Sequence, residues 1–463
     1  MPMTAPVKLG SRVTLADNSK YCSFPGGCKA ANGDVLVVWS ETDSHTTSTA
    51  RDIKIARKVS GASTFSATVD YRPFPTDATI VLGGVNALTL ADGTIILAFG
   101  SGITGVSGVV NWTARSSDHG YTWDAPVRIP NNFTYYSPHI VWGNTAGYIA
   151  APPVEIHGRP NELLIAHYGW DFVGQPAEYP TVGLSRSTNG GLSWAADVRV
   201  FTYDGVRDAQ EPWLLNVQVA DGSWELHCYM RSEIYSGGYN MRRSKATNAD
   251  GSAWSTMTGI TLGVAAPTQP SIVQLPDGGI PMLVRDPLST DYQAGFRFST
   301  NYGASFGSTI SVDTSGGQLY GQMFMARLGV MGMAYALDMG PNHPAPDYRN
   351  TDANVYYQEY TVVDSAPPDP LTIVGATGWT QASTALTVNG AVGVRTSTQA
   401  TVYSTTGGIV VFSGTHAGRF SASLDGTSWS SSITVPSGST TIYLSCLPQS
   451  GDMTLSASVG VPS

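Results

Sequence analysis

The side chains of Tyr320 and Glu211 have types that together could act on a sugar. Tyr320 lies in Leu-Tyr-Gly-Gln-Met and Glu211 in Gln-Glu-Pro-Trp. A free tyrosine is a poor nucleophile near pH 7 because the pKa of its phenol is about 10. A carboxylate within hydrogen-bond reach can take the phenol proton, and the oxygen can then attack an anomeric carbon. This chemistry requires a fold that brings together two residues far apart in the sequence.

A strand–turn–strand pattern recurs along most of the chain. Each copy has an apolar strand, a tight turn and a second apolar strand. The six turns are Asn32-Gly33, Asp92-Gly93, Pro160-Asn161, Asp221-Gly222, Asp277-Gly278 and the degenerate Arg327-Leu328-Gly329. Successive copies lie roughly 50–70 residues apart, which suits a four-stranded propeller blade with its loops. The pattern predicts an all-β fold with a six-bladed β-propeller.

A second kind of turn has the form Ser-x-Asp-x-Gly-x-Thr-Trp. The full pattern spans Ser116 to Trp123, and two copies with Asn in place of Asp span Ser187 to Trp194 and Ser299 to Phe306. The Asp or Asn is expected to accept hydrogen bonds from backbone amides of its own turn, the Gly to take a positive φ, and the aromatic ring to pack between strands. These turns are therefore predicted to be structural rather than catalytic.

The innermost strands of a propeller converge on its central channel, where one mouth would hold a ligand. Among the residues at the predicted starts of these strands, only Glu211 is charged and only Tyr320 is a phenol. A buried charge is costly unless it is used or paired, so the pattern favours a functional pair at the channel. His139 and Trp170 are further candidates for the same mouth, Trp170 as a surface on which a sugar stacks.

The second turns resemble the Asp-boxes, or BNR repeats, of the sialidase (neuraminidase) superfamily. The resemblance covers about residues 18–364, and the six copies match that family's six-bladed propeller. It implies a retaining glycoside hydrolase with Tyr320 as nucleophile and Glu211 assisting, because a phenol avoids the repulsion that a carboxylate would meet at an anionic sugar. The positions of the two residues, on the sixth and fourth blades, also match the family.

The resemblance implies an acid/base residue and a set of arginines as well. Asp52 is the matching position for the acid/base, with Asp43 as the alternative. The family binds a carboxylate with three arginines, because guanidinium groups match carboxylates in geometry and charge. Arg231 matches the second of them, and Arg285, or less well Arg297, matches the third.

The sequence departs from the family at the first arginine. Ser23 stands in Cys-Ser-Phe-Pro where the family has Phe/Tyr-Arg-Ile-Pro. The loss of one charge-assisted contact of this kind could cost about 2–5 kcal/mol of binding. We therefore do not expect cleavage of ordinary sialosides, and the remaining residues could serve another sugar.

Each catalytic candidate also has a structural interpretation. Tyr320 could be a core aromatic residue whose hydroxyl is satisfied. Glu211 could form a structural ion pair with Arg231 or Arg207, and Asp52 could be a solvent-exposed acid paired with a neighbouring base. No spacing of His and carboxylates indicates a catalytic metal, and no cofactor is predicted.

The composition argues against several classes of function. Only 13% of residues are charged and the formal net charge is −9, so a basic groove for nucleic acid is not expected. No run approaches the ~18 apolar residues of a spanning helix, so no membrane insertion is expected. The first residues lack a secretory signal pattern. Cys22 and Cys28 could form a bridge across a turn or be free thiols.

The composition changes after residue 364. Residues 365–370 form a Pro-rich linker, and residues 371–463 contain no Lys or Glu and have alternating strand-like runs. They are predicted to form a separate β-sandwich, Ig-like or carbohydrate-binding-like, through which the chain could form a homo-oligomer. Residues 1–17 are assigned to an N-terminal segment and 18–364 to the propeller.

Three functions follow from these patterns. The favoured one is recognition of a cell-surface glycan, with or without its hydrolysis, by a virion protein such as a phage receptor-binding or minor tail protein. Such a protein would be released by lysis without a leader and would contact other tail proteins. The first alternative is a free extracellular glycoside hydrolase, retaining, with a tyrosine nucleophile. The second is a structural propeller without activity.

Overall fold

The structure is a computed structural model in which part of the chain is described. The described residues are 3, 5–17, 20–42, 52–75, 80–102, 109–130, 133–135, 148–149, 151–172, 181–200, 209–234, 238–260, 262, 269–286, 293–327, 330–338 and 353–362, and strands between 396 and 460. These residues form strands, turns and irregular segments, which confirms the predicted all-β class. Within them, no helix has the length and apolar character needed to cross a membrane.

Three separate sheets are built from strands that follow one another in the sequence. The first contains β6 (Ile80–Thr89), β7 (Ile95–Gly102), β8 (Val109–Ser116) and β9 (Val127–Ile129). In the second, β13 (Leu163–Phe172) pairs with β10 (Phe133–Tyr135), β11 (Tyr148–Ile149), β12 (Val154–Glu155) and β14 (Thr181–Ser187), which is followed by β15 (Ala195–Arg199). The third contains β16 (Gln210–Gln218), β17 (Trp224–Ile234), β18 (Gly238–Lys245) and β19 (Thr258–Ile260).

The largest sheet joins the later strands of this region to its first ones. Its order is β20 (Ser271–Ile272), β21 (Ile280–Asp286), β22 (Gln293–Ser299), β23 (Ile310–Arg327), β24 (Val330–Asp338), β25 (Ala353–Thr361), β2 (Tyr21–Lys29), β3 (Val35–Thr42), β4 (Ile53–Lys58) and β5 (Val69–Tyr71). β1 (Val7–Ala16), which lies in the stretch assigned to an N-terminal segment, also pairs with β25. The pairing of β25 with β2 is parallel, through Ala353 and Tyr21. The sheets are thus arranged in a propeller-like manner.

The central strands of these sheets are buried on both faces. In β7, every side chain from Ile95 to Phe99 is fully buried. Successive side chains of a strand point to opposite faces, so a run of this kind means that the sheet is covered on both sides. Leu97 and Phe99 belong to a cluster with Leu36 and Val38 of β3, while Ala98 packs with Ile165 of β13. Neighbouring sheets therefore cover the two faces of the sheet that contains β7.

The second kind of turn has the predicted internal hydrogen bonds. Asp118 Oδ1 accepts from the amides of Tyr121 at 3.1 Å and Thr122 at 2.9 Å, and Gly120 has a φ of 84°. Burial opposes ionisation of Asp118, but hydrogen bonds from Thr122, Ser116 and Tyr121 lower its pKa to about 2. The ring of Trp123 packs against the apolar cluster between the first sheet and strands β2 to β4 of the largest sheet. The hydrogen bonds, the glycine conformation and the ring packing predicted for this turn are confirmed.

A bridge between Cys22 and Cys28 does not form, and both residues are buried free thiols. Both lie on β2, which is an extended strand. Six residues of strand span about 20 Å, whereas a disulfide needs Cα atoms within about 7 Å. The predicted turn between them is therefore absent, and of the two interpretations the free thiols are correct.

A second compact unit contains Met1–Val7, Arg327–Val330 and Thr361–Ser463. Its described strands after residue 390 form two three-stranded antiparallel sheets. One contains β26 (Thr396–Ser404), β30 (Gly438–Cys446) and β28 (Phe420–Ser423), and the other β29 (Ser432–Val435), β27 (Gly408–Ser413) and β31 (Ser456–Gly460). The β-sandwich stays a prediction.

Candidate functional site

The first strands of several sheets have a β-bulge near their beginning. β2 shifts its register between Ser23 and Gly26, and β16 does so between Gln210 and Trp213. A comparable shift occurs in β6. A bulge interrupts the ladder and bends the strand, so that side chains within it leave the regular alternation. Such positions can direct a side chain toward neighbouring sheets.

Glu211 lies in the bulge of β16 and accepts hydrogen bonds at both carboxylate oxygens. Tyr320 Oη of β23 donates to Oε1 at 2.7 Å, and Arg231 Nη1 of β17 donates to Oε2 at 3.2 Å. Glu211 is 5% exposed and Tyr320 9%. The structure thus brings together the phenol and the carboxylate that the sequence singled out, although they belong to different sheets.

The hydrogen bonds show how the side chain of Glu211 is used. Each of its two oxygens accepts one hydrogen bond from a side-chain donor. Its hydrogen bond with Tyr320 is in the direction required for the carboxylate to remove the phenol proton. The pair with Arg231 also matches the structural interpretation of Glu211, so the contact by itself does not separate the two roles.

Phe24 lies in the bulge of β2 and stacks on Tyr320. The ring centroids are 4.1 Å apart and the ring planes differ by 29°. Phe24 was not predicted as a site residue, because its side chain is neither charged nor a phenol. Its place beside Ser23 at a predicted strand start was the available signal.

Backbone strain coincides with these contacts. In the described part of the chain, positive φ values occur at five non-glycine residues. They are Phe24 (55°), Glu211 (46°), His119 (65°), Asn161 (67°) and Tyr302 (57°). The last three belong to turns, whereas Phe24 and Glu211 lie within strands. A left-handed conformation costs about 1–3 kcal/mol in such a residue, and strain of this size is concentrated at functional sites.

Asp52 forms a two-point ion pair with Arg72. Arg72 Nε donates to Oδ1 at 2.7 Å and Nη2 to Oδ2 at 2.9 Å. The hydrogen bond and then the charge of Asp52 raise the pKa of Arg72, which is half-exposed. This partner was not predicted, because Arg72 lies 20 residues from Asp52 in the sequence and belongs to no recognisable motif. Asp52 could donate a proton to a leaving group only after this ion pair opens.

The remaining candidates are placed by their backbone or lie outside the described residues. Ser23 is opposite Ser40 on β3, Arg285 is opposite Ala294 on β22, and Trp170 is opposite Tyr135 on β10. The side chains of these three candidates lie outside the described part, and so do His139 and Asp43 in full. Their predicted roles remain predictions.

Arg297, the alternative to Arg285, lies on β22 and is buried. It is opposite Met282, three positions along β21 from Arg285, and its Nε donates to Thr309 Oγ1 at 3.2 Å. As for metals, the described residues contain no group of three or more His, Cys, Asp or Glu side chains that could hold an ion.

Comparison with known proteins gives a fold but no family. No protein-family model and no curated protein sequence matches the chain. An α-L-arabinanase from Penicillium chrysogenum, solved with arabinobiose, is 15% identical with a TM-score of 0.52, over 76% of this chain and 98% of that chain. An α-L-arabinofuranosidase from Fusarium graminearum is 12% identical with a TM-score of 0.55, over 76% of this chain and 98% of that chain.

A third solved structure is the NanB sialidase from Streptococcus pneumoniae. It is 12% identical with a TM-score of 0.51, over 78% of this chain and 71% of that chain. The chain is therefore similar in fold to propeller glycosidases of the sialidase and arabinanase type. At these identities the likeness concerns the fold, and function has to be argued from the site.

Proposed function

We propose that this chain is a retaining glycoside hydrolase with a six-bladed propeller, and that Tyr320 is its nucleophile. The observation that supports the proposal most is the 2.7 Å hydrogen bond from Tyr320 Oη to Glu211 Oε1. It joins a phenol and a carboxylate from different sheets, and Glu211 takes a strained backbone conformation to form it. The fold likeness to glycosidases adds to this observation.

Six blades are consistent with the strand order. The three separate sheets account for three blades. In the largest sheet, β20 to β22 with the first part of β23 would form one blade, and β2 to β5 another. The later part of β23 with β24, β25 and β1 would form the sixth, since β22 pairs with β23 only between Ile310 and Gly317.

In the first step, Tyr320 Oη would attack the anomeric carbon while Glu211 takes the phenol proton. A bond forms between the phenol oxygen and the sugar, and the glycosidic carbon–oxygen bond breaks. The leaving oxygen receives a proton from an acid, for which Asp52 is the candidate once its pair with Arg72 has opened. In the second step Asp52, now a carboxylate, would remove a proton from water, and the water oxygen attacks the anomeric carbon. Tyr320 leaves and regains its proton from Glu211, so the configuration is retained.

The charges around Glu211 favour a neutral sugar over an anionic one. Arg231 Nη1 donates to Glu211 Oε2, so part of its positive charge is balanced within the protein. Ser23 replaces the arginine that the sialidase resemblance leads one to expect at this position. We therefore expect arabinofuranosides and other neutral glycosides to be better substrates than sialosides.

The first experiment is a screen of the full chain for hydrolysis of fluorogenic aryl glycosides, including α-L-arabinofuranosides and α-sialosides, with a glycan array in parallel. For any substrate cleaved, the anomer first released is identified by NMR, and Tyr320→Phe is compared with wild type. Tyr335→Phe is a matched control, because it also removes a phenol that donates to a buried carboxylate. We expect the anomeric configuration to be retained, and we expect activity to be lost in Tyr320→Phe but not in Tyr335→Phe. Inversion, or full activity in Tyr320→Phe, would refute the mechanism.

Glycan binding without hydrolysis is the second candidate function. The Asp52–Arg72 ion pair favours this function, because Asp52, the acid/base candidate, cannot donate a proton while it is paired with Arg72. Binding on the array that is the same for wild type, Tyr320→Phe and Glu211→Gln, with no product, would identify a receptor-binding module. A place in a phage tail remains our hypothesis for where such a module would act, and mass spectrometry of purified virions would test it.

A further inference from the structure

The two strained residues within strands contact the same side chain. Phe24 and Glu211 lie in the bulges of β2 and β16, on different sheets, and both meet Tyr320. Phe24 stacks on the face of the phenol, and Glu211 accepts the hydrogen bond from its hydroxyl. Bulky side chains rarely adopt a positive φ, so two cases around one tyrosine need a common explanation.

The surrounding strands hold the bulge of β2 in place. A Cβ on Gly84 of β6 would lie 3.2 Å from the Cβ of Phe24, so glycine leaves room for this ring. Gln322, two residues from Tyr320 on β23, accepts a hydrogen bond from the amide of Gly27 at 3.0 Å. Its amide nitrogen in turn donates to Ala87 O of β6 at 2.9 Å. Gln322 therefore ties the strand that presents Phe24 to the strand that presents Tyr320.

The plane of the phenol ring decides where its oxygen can react. Conjugation keeps the hydroxyl hydrogen and one lone pair of a phenol close to the ring plane. The hydrogen bond to Glu211 uses one of these two in-plane directions. The phenol oxygen therefore attacks an electrophile along the other, with its in-plane lone pair. Rotation about the bond between Cβ and the ring would break the hydrogen bond and turn this direction away. A ring stacked at 4.1 Å opposes that rotation.

We propose that Phe24 is a positioning residue for Tyr320: its ring fixes the plane of the phenol, and thereby both the hydrogen bond to Glu211 and the direction of nucleophilic attack. This inference rests on the proposed function. It adds a residue that makes no bond to the sugar and acts through the nucleophile. It also gives a common role to the strained bulges of β2 and β16, since a residue of each contacts Tyr320.

The kinetic test compares Phe24→Leu with Phe24→Tyr, using the aryl glycoside that wild type cleaves fastest. Leu keeps an apolar side chain at the same φ but removes the flat ring, whereas Tyr keeps the ring. We expect kcat to fall at least about tenfold in Phe24→Leu with KM within about twofold, and to recover in Phe24→Tyr. An equal kcat in all three proteins would overturn the proposal.

Phe74→Leu serves as the matched control for loss of packing. Phe74 contacts Trp112 and Phe99 by edge-to-face packing and has no contact with Tyr320 among those described. It should lower the thermal midpoint while leaving kcat unchanged. If Phe74→Leu lowers kcat as much as Phe24→Leu, Phe24 acts through stability alone and the positioning role is wrong.

An NMR measurement tests the same idea without any substrate. The protein is labelled at the tyrosine rings, and the Tyr320 signals are assigned by their absence in Tyr320→Phe. In wild type the ring flip should be slow and the signals shifted by the ring current of Phe24; both effects should disappear in Phe24→Leu and persist in Phe74→Leu. A ring that flips equally fast in wild type and Phe24→Leu would overturn the positioning role. A restrained ring in a protein that cleaves nothing would instead refute the proposed function alone.

Discussion

Two groups in the structure contain the same chemical types of side chain, and their phenols lie on the neighbouring strands β23 and β24. In the first, Glu211 accepts from Tyr320 and Arg231. In the second, Asp313 accepts from Tyr335 and Arg12, and Tyr335 lies on β24, next to the β23 that presents Tyr320. Both contain a buried phenol, a carboxylate and a guanidinium group, so contact chemistry alone does not tell them apart.

The groups differ in how the carboxylate is used. Glu211 gives one oxygen to the phenol and the other to the guanidinium group, whereas Tyr335 Oη and Arg12 Nη1 donate to the same oxygen of Asp313, Oδ2. Arg12 also stacks over the ring of Tyr356 at 4.2 Å. Burial and then the charge of Asp313 raise the pKa of Tyr335, which keeps that phenol protonated.

The groups also differ in their backbone. Glu211 lies in a bulge at a positive φ and Phe24, which covers the phenol, does so too. The non-glycine residues of positive φ in the described part include none of the second group. Strained backbone conformations are concentrated at functional sites, where a particular side-chain geometry is required. A contact that only stabilises the fold can form from regular strands. The comparison therefore supports the proposed chemical role of the first group, and we expect the second to act in stability alone.

The largest effect should separate the two phenols by activity. Tyr320→Phe should reduce kcat by about 10³-fold or more, because it removes the nucleophile. Tyr335→Phe should leave kcat within about twofold of wild type and lower the thermal midpoint. Steady-state kinetics and thermal unfolding of both variants check this. Equal losses of kcat would break the comparison.

For the two carboxylates, the larger loss of stability is expected in the second group. Asp313→Asn removes the charge that Arg12 and Tyr335 share, and should cost about 1.5–3 kcal/mol in the free energy of unfolding. Expressed as free energies, the loss of stability in Glu211→Gln should be smaller than the loss in kcat. The reason is that the strained backbone of Glu211 already reduces the net stability that its contacts contribute. Denaturant unfolding monitored by tryptophan fluorescence gives both values. A larger stability loss in Glu211→Gln would reverse the assignment.

Acid should weaken the fold that holds both groups. His167 is fully buried, and burial lowers its pKa to about 3. Since an unfolded histidine has a pKa near 6.5, the unfolded state binds more protons between these values, and stability falls as pH falls below about 6.5. The slope approaches about 1.4 kcal/mol per pH unit for this residue, and the loss amounts to about 1.6 kcal/mol between pH 6.5 and 5.

The hydrogen bonds of His167 suggest the control for this effect. Nε2 faces Ser185 Oγ at 2.8 Å, Nδ1 faces Asn111 Nδ2 at 3.3 Å, and Ser185 donates onward to Pro130 O. A neutral ring with its proton on Nε2 satisfies all three. His167→Gln should therefore flatten the loss of stability with acid even if it lowers stability at pH 7. An unchanged slope in that variant would assign the acid sensitivity to other groups, such as His227, whose pKa burial lowers to about 4.

The smallest effect should come from Asp118, an acid for which the sequence predicts a structural role within its turn. Asp118→Ala removes the acceptor of the hydrogen bonds within its turn and should cost about 1 kcal/mol in stability with no change in kcat. Thermal unfolding and kinetics of this variant check it. A fall in kcat comparable to that of Glu211→Gln would mean that activity reports general damage rather than the site.

What the sequence by itself determined is local or periodic. The spacing of turns and apolar strands predicted the all-β class, and the residue types around Asp118 predicted its hydrogen bonds, because a turn is formed by a few consecutive residues. The pairing of Tyr320 with Glu211 was also predictable. A charge and a phenol at the starts of converging strands have few alternatives to meeting there.

The tertiary structure alone decided the other contacts of these residues. The bulge of β2 places Phe24 on the phenol of Tyr320. Asp52 meets Arg72, and Arg12 meets Asp313 from the other end of the chain. No local pattern specifies these contacts. They depend on how strands far apart in sequence are bent and packed, and the cost of two strained backbones is offset only in the assembled fold.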